Sequence, residues 1–492
     1  MPTSSSILWF RLDMRLGDNP ALRAAVQRGG AVIPVFIYAP EEEAPWPPGA
    51  ASRWWLHHSL RALAADLRQA GSQLVLRRGP SPTTLRSLVE ETGATAVFWN
   101  RRYEPALSSR DAVIKKELLA GGLEVESFNG ALLNEPWTVQ NQSGKPFQVF
   151  TPFWRNCLTK LMAVEPLPAP RGIVAPNRWP KSLPLEAFEL EPKLNWAKGI
   201  QAGWQPGVAG AQAQLARFLT DAVMNYSEDR NLPAETGTSR LSPHLHFGEI
   251  TPRQIWRAVR RYAAANHISE ATWRSWQFVT ELGWREFSHH LLYHFPQTPE
   301  EPLRSVFKHF PWHRDVAFLK AWQKGQTGYP IVDAGMRELW ATGWMHNRVR
   351  MIAASFLVKD LRISWTEGAR WFWDTLVDAD LAQNTLGWQW TAGCGADAAP
   401  YFRVFNPISQ GEKFDARGLY VRHWCPELAR LPDQWLHKPW QAPPEILDHA
   451  GLRLGRDYPT PIVSHAIARE VALEAFAKIT RHRKGAPARG KY

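Results

Sequence analysis

The chain has 492 residues, 45% apolar and 21% charged, with 26 Trp, 22 Phe, 10 Tyr and three Cys. That composition excludes a disordered, collagenous or disulfide-rich chain, and the length predicts two or three domains with sizeable cores. The net charge is +12, of which residues 471–492, with six Lys/Arg and one Glu, supply +5 and the body +7. A basic body points to a polyanionic partner, nucleic acid first; a basic surface without a specific role gives the same count.

No stretch reaches the ~18 apolar residues that span a bilayer. The start, MPTSSSILWFRLDMR, has no apolar run of signal-peptide length. Cys157, Cys394 and Cys425 are far apart and form no CxxC. Together these features predict a cytoplasmic protein without a disulfide framework or a membrane segment. The tryptophans are uneven: residues 251–450 hold 16 of the 26.

The first ~130 residues alternate between two patterns. Strand-like runs are ILWFR (7–11), AVIPVFIY (31–38), QLVLRR (73–78), TAVFWN (95–100) and LEVESF (123–128). Helix signals lie between them. Asn19-Pro20 opens one helix and Gly29-Gly30 closes it; Ser81-Pro82 opens another, ended by Gly93; residues 53–70 have helical spacing and stop at Gly71. Alternating strands and helices predict an α/β domain with a doubly wound parallel sheet. Yet no GxGxxG follows the first strand and no GxxxxGK[ST] occurs, so the usual phosphate cradles are absent.

Residues 130–215 are rich in proline and read as a connector. From about 211 to 475 the pattern is helical, as in TPRQIWRAVRRYAAA, WRSWQFVTELGWREFSHHLLYHF and NRVRMIAASFLVKDL. The predicted organisation is an α/β domain at 1–132, a linker at 133–212, an all-α domain at 213–475 and a short basic tail at 476–492.

Four segments combine features that packing alone does not ask for. In TELGWREF (280–287), Glu281, Trp284 and Arg285 fall at i, i+3, i+4 and share a helix face. A carboxylate beside an indole on an inward face needs a hydrogen-bond partner, although a surface Glu–Arg pair beside a core Trp has the same spacing. In GWMHNRVRMIAASF (343–356), Asn347, Arg348, Arg350 and Met351 precede an apolar run. In LVDADLAQNTLGWQW (376–390), Asp378, Asp380 and Asn384 precede Trp388 and Trp390. This suggests a buried polar ligand, with helix caps and loop acids as the alternative. In ETGTSRLSPHLHFG (235–248), Thr238, Ser239 and Ser242 follow Gly237 into a helix, an arrangement that can hold phosphate or simply cap the helix. His290 and His294 are i, i+4, but without HExxH or a third ligand no metal is predicted.

Together these segments resemble the photolyase/cryptochrome flavoproteins over nearly the whole chain. The resemblance is carried by WFRLDMRLGDNPAL (9–22), GTSRLSPHLHFGEI (237–250), WREF (284–287), TGYPIVDAGMRELWATGWMHNRVRMIAASFLVKDL (327–361), GWQW (387–390) and PYFRVFNPISQGEKFD (400–415). It implies an antenna domain, a long linker and an all-helical domain holding FAD, active as reduced FADH⁻.

Carried over by the resemblance, Tyr226, Thr238, Ser239, Leu241 and Ser242 match positions that hold the FAD phosphates and ribose. Arg350 and Asp378 match the ion pair beside the flavin ring, Asp380 lies in the same turn, and Arg240, Arg285 and Ala379 join the cofactor-binding set. Asn384 matches the position facing flavin N5. Glu281, Trp284, Asn347, Met351 and Trp390 match the pocket for damaged bases. Arg230, Arg348, Arg403 and Gln410, with Glu281 and Asn347, match DNA contacts. Trp388, Trp365 and Trp312 match the chain of indoles that reduces the flavin.

The implied activity is light-driven repair of cyclobutane pyrimidine dimers in DNA by a carbon–carbon lyase, acting as a monomer without an obligate protein partner. The alternatives are a cryptochrome photoreceptor and (6-4) photoproduct repair. Plant cryptochromes usually carry Asp where this chain has Asn384, and add a long tail where this chain ends soon after its last predicted helix. The (6-4) enzymes need a His pair where it reads His346-Asn347. SRWWLHHSLRAL (52–63), FWNRRYEP (98–105) and VFTPFWR (149–155) resemble the class III bacterial group. That group implies 5,10-methenyltetrahydrofolate as antenna. The stretch after Tyr103-Glu104 lacks the Asn-Glu pair of other folate-binding members, which leaves a deazaflavin, or no antenna, as the alternative.

Overall fold

The computed structural model describes residues 5–161, 165–398 and 402–485, the side chains of 481–485 excepted. Residues 486–492 of the expected tail, and Pro400 and Tyr401 of the PYFRVF motif, lie outside the described residues. The chain divides into two compact units. One holds Met1–Met224, Ser239–Pro296 and Val377–Ala382, the other Asn225–Thr238, Gln297–Leu376 and Gln383–Tyr492.

The first unit begins with the expected parallel sheet. Strands β1 (Ser6–Phe10), β2 (Val32–Tyr38), β3 (Val75–Arg78), β4 (Ala96–Asn100) and β5 (Glu124–Phe128) lie in the order β3-β2-β1-β4-β5, every pair parallel. Ile7 pairs with Ile33 on one side and with Val97 on the other. β1, β2 and β4 are buried along their whole length, which is why they read as unbroken apolar runs. Helices α1 (Pro20–Arg28), α2 (Ala50–Gln69), α3 (Ser81–Thr92) and α4 (Pro105–Ala120) alternate with them. Ile7, Trp9, Ile33, Val35, Val97 and Trp99 form one core face with Leu85 and Leu88 of α3 and Ile114 and Leu118 of α4. The start and stop signals act as expected. The Asn19 side chain accepts the Leu22 N–H at 3.0 Å, Pro20 opens α1, and Gly93 ends α3 at φ +63°.

In this strand order the chain reverses direction of build-up between β1 and β4, where open α/β sheets bind ligands. Here the crevice is filled by the chain itself. Arg11, 6% exposed, is ion-paired with Asp111 and donates to the Asn100 carbonyl. The Asn100 amide donates to Asn19 Oδ1 at 2.7 Å and also to Asp13. A Cβ on Gly130 would lie 2.5 Å from Asn100 Cγ, so the chain crosses the crevice with no room to spare. This accounts for the missing glycine-rich cradle: the crevice holds an internal salt bridge where a phosphate would sit.

Within the proline-rich connector lies a helix, α5 (Phe150–Lys160), which packs on the helix Gln277–His294. A Cβ on Gly283 would lie 2.6 Å from the Trp154 ring, so only glycine permits this approach. Glu286, buried on the same helix, accepts the Leu133 and Asn134 N–H groups at 2.8 and 3.0 Å and ties the segment beyond β5 to it.

Among its described residues the second unit is helical, with an isolated bridge between Leu454 and Tyr458. The helix Pro330–Thr342, closed by Gly343 at φ +67°, packs on Asn347–Ser355 and Leu419–Trp424. Buried Asp333 accepts from Thr327 N–H and Oγ1–H, Gly328 N–H and the Tyr458 hydroxyl at 2.6–3.0 Å, closing the loop ahead of that helix. A π-helical stretch, Phe356–Asp360, follows Asn347–Ser355, and its Lys359 donates to the Ala392 carbonyl at 2.9 Å. The three cysteines are free and buried, and among the described residues no helix is long and apolar enough to cross a membrane.

Burial pushes the Glu286 carboxyl up to about 7, against the pull of Arg285 and of its two amide donors. Between its usual 4.5 and about 7 the folded protein keeps a proton that the unfolded chain has released. That stability is fully present below the lower value and is lost as the pH rises through the upper one. Glu286→Gln should flatten this dependence. Unfolding free energies from urea titrations at about pH 5 and about pH 7.5 should differ more in the native protein, by up to about 3 kcal/mol.

Candidate active site

The helix Gln277–His294 puts Glu281, Trp284 and Arg285 on one face, as their spacing predicts. The Gln277 amide donates to Glu281 Oε1 at 2.7 Å. Half-buried Trp284 stacks on Phe150 with ring centroids 3.8 Å apart and planes 7° from parallel. Arg285 donates to the Ala131 carbonyl at 2.9 Å. Two residues missed in the sequence thus shape this face. Gln277 was legible, four residues before Glu281 on the same helix. Phe150 was not, because nothing local links it to a residue 134 positions on.

Around the 377–382 turn, Ser242 Oγ donates to Asp378 Oδ2 at 2.6 Å, and Ala379 is buried. Asp380 Oδ2 lies 3.7 Å from His246 Nδ1 and 3.5 Å from His289 Nε2. Burial alone would raise the Asp380 carboxyl, but His289, His246 and Arg285 outweigh it and hold it well below the usual carboxylate range. In the 237–242 turn, Arg240 adopts φ +52° with its guanidinium 4.2 Å over the Trp204 ring, and the Leu241 N–H donates to Ser239 Oγ. The helix that follows, Ser242–His246, is one short turn. A phosphate expected at this turn would rely on its hydroxyls more than on a helix dipole.

In the second unit, a Cβ on Gly237 would lie 2.4 Å from Asp229 Cβ, so the 225–238 segment folds tightly on itself ahead of half-buried Thr238. Arg230 sits 5.7 Å over the Tyr226 ring. Asn347 is exposed at the start of its helix, while buried His346 caps that helix by accepting the Arg348 N–H at 3.2 Å. Burial, with Arg350, Arg348 and Arg230 nearby, pushes the His346 imidazole down to about 3, so it is neutral at physiological pH. Arg350 donates to the Met345 carbonyl at 2.7 Å, and Met351 is half-buried on the same helix.

Arg348 bonds Asn231 and lies 4.4 Å over the Phe414 ring. Burial, then the positive charges of Arg230 and Arg403, lower its pKa. The three arginines expected to touch DNA are therefore electrostatic neighbours, and exposed Arg403 rests 4.7 Å over Phe405. Gln410 is half-buried on the helix Pro407–Phe414. Asn384 spends one amide N–H on the Ala369 carbonyl at 3.0 Å and keeps the other for a further acceptor.

Trp388 and Trp365 are 2% and 3% exposed, while Trp312 is half-buried. This gradient runs from interior to surface. Trp388 meets Phe372 and Trp322 edge-on at 5.0 and 6.2 Å, and Trp312 packs 4.5 Å from Phe310. His290 accepts the Phe147 N–H at 3.0 Å, a packing role, and no group of His, Cys, Asp or Glu among the described residues could hold a metal ion.

Residues 278–478 match the family described as FAD binding domain of DNA photolyase, and residues 6–171 the one described as DNA photolyase. The deoxyribodipyrimidine photo-lyase of Agrobacterium fabrum is 50% identical over 98% of this chain and 99% of its own. The chain belongs to the photolyase/cryptochrome family. A crystal structure of a bacterial class III photolyase from Agrobacterium tumefaciens superposes with a TM-score of 0.93 at 49% identity, covering 98% of each chain. Cryptochrome-1 of Arabidopsis thaliana is 43% identical over 96% of this chain and 70% of its own. The match to an FAD-binding domain makes FAD the cofactor of this family member. The donor set fits it: hydroxyls at Tyr226, Thr238, Ser239 and Ser242 suit phosphate and ribose, and Asp378, Arg350 and Asn384 suit a polar ring edge.

A Cβ on Gly368 would lie 2.1 Å from the Trp388 ring. Gly368→Ala should therefore displace that indole. The expected result is a loss of about 1–3 kcal/mol in urea unfolding, with altered tryptophan emission.

Proposed function

We propose that this chain repairs cyclobutane pyrimidine dimers in DNA under blue light, with FAD as its catalytic cofactor. The observation that carries this reading is the end-to-end likeness to a deoxyribodipyrimidine photo-lyase in a chain that retains Glu281, Trp284, Asn347 and Asn384. Residues 213–475 form the flavin and DNA domain in this reading, and residues 1–132 the antenna domain.

A dimer inside a duplex is out of reach, so it must be flipped out, which costs least where stacking is already damaged. Arg230, Arg348 and Arg403 anchor the phosphates on either side, with Gln410 beside them. Trp284 and Trp390 offer flat apolar faces to the extruded bases, and Met351 fills the space beside them. Glu281, steadied by Gln277, faces a base carbonyl in this reading, and Asn347 offers a second polar contact. When bound and fully reduced, the flavin supplies one electron to the dimer and recovers it after the ring has split. Asn384 would present flavin N5 with an amide, a group that neither gains nor loses a proton readily. Trp312, Trp365 and Trp388 pass electrons inward to reduce the cofactor. Tyr226, Thr238, Ser239, Arg240, Leu241, Ser242, Arg285, Asp378, Ala379 and Asp380, with Arg350, hold it.

The cryptochrome reading draws on the likeness to Arabidopsis cryptochrome-1. Asn384, where plant cryptochromes carry Asp, favours repair. We further propose 5,10-methenyltetrahydrofolate as antenna, with a deazaflavin as the alternative, and a monomer acting in the cytoplasm.

Purified, photoreduced protein should cleave cyclobutane dimers in illuminated oligonucleotides, and Glu281→Ala should lower the yield about tenfold, the worth of one hydrogen bond. Intact dimers after illumination of the native protein would sink the repair reading. The antenna is read from an absorption spectrum. Folate adds a band near roughly 380 nm to the flavin bands near roughly 450 nm.

A further inference from the structure

The second face of the Trp284 ring is where α5, on the segment expected to be a mere linker, enters the site. Phe150, 7% exposed, covers one side of the half-buried indole at 3.8 Å and 7°. Phe287 meets both rings edge-on, each at 5.9 Å, at 73° to Phe150 and 72° to Trp284. Free aromatic pairs prefer offset or edge-on arrangements at longer separations, so this close parallel pair is imposed by the packing around it. The source is visible one residue away. Gly283 lets the Trp154 ring of α5 approach to 2.6 Å of where a Cβ would be, and Phe153 packs 5.1 Å from Phe287. Two contacts from α5 thus press Phe150 flat against Trp284, while the Trp284 edge is held by Phe287. Glu281, one turn earlier, is held by Gln277 at 2.7 Å.

We propose that Phe150 is a positioning residue for the extruded pyrimidine. It sets the plane of Trp284, whose open face then stacks with the base in a three-layer arrangement of pyrimidine, indole and phenyl ring. The proposal rests on the repair reading. Its ligand is the flat face of a damaged base, since stacking recognises the π-face and ignores base identity. Undamaged DNA, held through phosphates, does not use this contact.

The test uses the full-length, FAD-loaded chain carrying Phe150→Ala, Phe150→Leu or Phe150→Tyr. Binding is measured to one oligonucleotide with and without a cyclobutane thymine dimer, alongside flavin absorbance and cleavage yield at saturating DNA. Phe150→Leu keeps an apolar side chain but loses the flat ring. It should weaken dimer binding about fivefold, and Phe150→Ala about tenfold. Both should leave undamaged-DNA affinity and flavin content within about twofold of native, and Phe150→Tyr should restore dimer binding. Native-like dimer binding by Phe150→Leu overturns the proposal. So does a parallel loss of dimer binding, undamaged-DNA binding and flavin, which marks a purely structural role. If the native protein itself neither binds nor cleaves dimers, the repair reading fails first, and that result is separate from either outcome at Phe150.

Discussion

The placement of one helix governs the first unit, and a buried carboxylate fixes it. Glu286 accepts two backbone N–H groups from the segment just past β5, so Gln277–His294 is tied to the end of the sheet. Without those donors an acid this deeply buried would be far more costly. With them, the same helix delivers Glu281, Trp284 and Arg285 on one face and His289 toward Asp380. Gly283 then sets how near α5 can come, and through α5 the attitude of the Trp284 ring. Glu281, Trp284 and Arg285 are therefore not placed independently: they are consequences of one helix axis held by one acid and one glycine.

How much of this was legible in the sequence depends on the range of the interaction. β1, β2 and β4 were readable because both of their faces are buried, β3 and β5 by their β-branched and apolar residues between turn signals, and all five predicted runs end within a residue or two of the observed strands. Helix ends were readable where they are local, as at Asn19 and Gly93. The absence of a phosphate cradle was readable too, but its cause was not. Arg11 is 100 residues from Asp111 and 89 from Asn100 in sequence and meets them only in the folded crevice. The connector marks the other limit: its prolines describe the irregular stretches correctly, yet they hide an eleven-residue helix whose role depends on Gly283.

Charge followed the same rule. A net +12 says only that some polyanion is favoured. The structure gathers part of that excess at Arg230, Arg348 and Arg403, close enough that the outer two help lower the pKa of Arg348. Like charges held together cost free energy, and aromatic faces at Phe414 and Phe405 only partly offset it. A phosphate backbone removes that repulsion on binding, so affinity and salt sensitivity share a source.

The tryptophan excess separates by environment. Trp55, fully buried, donates its indole N–H to Glu249 at 3.0 Å, and Trp322 donates to the Ala353 carbonyl at 2.9 Å. These indoles act as large core residues whose single polar atom is satisfied. Trp388 lies against Trp322 and Phe372, at the close approach that Gly368 permits. An indole enclosed by rings, and backed by a residue with no side chain, is held in one orientation in an apolar surrounding. Half-buried Trp312 lies where water can reach it. In the proposed electron path that difference gives a direction. Positive charge formed on an indole is stabilised where solvent can respond to it, and it moves from the enclosed ring toward the wet one.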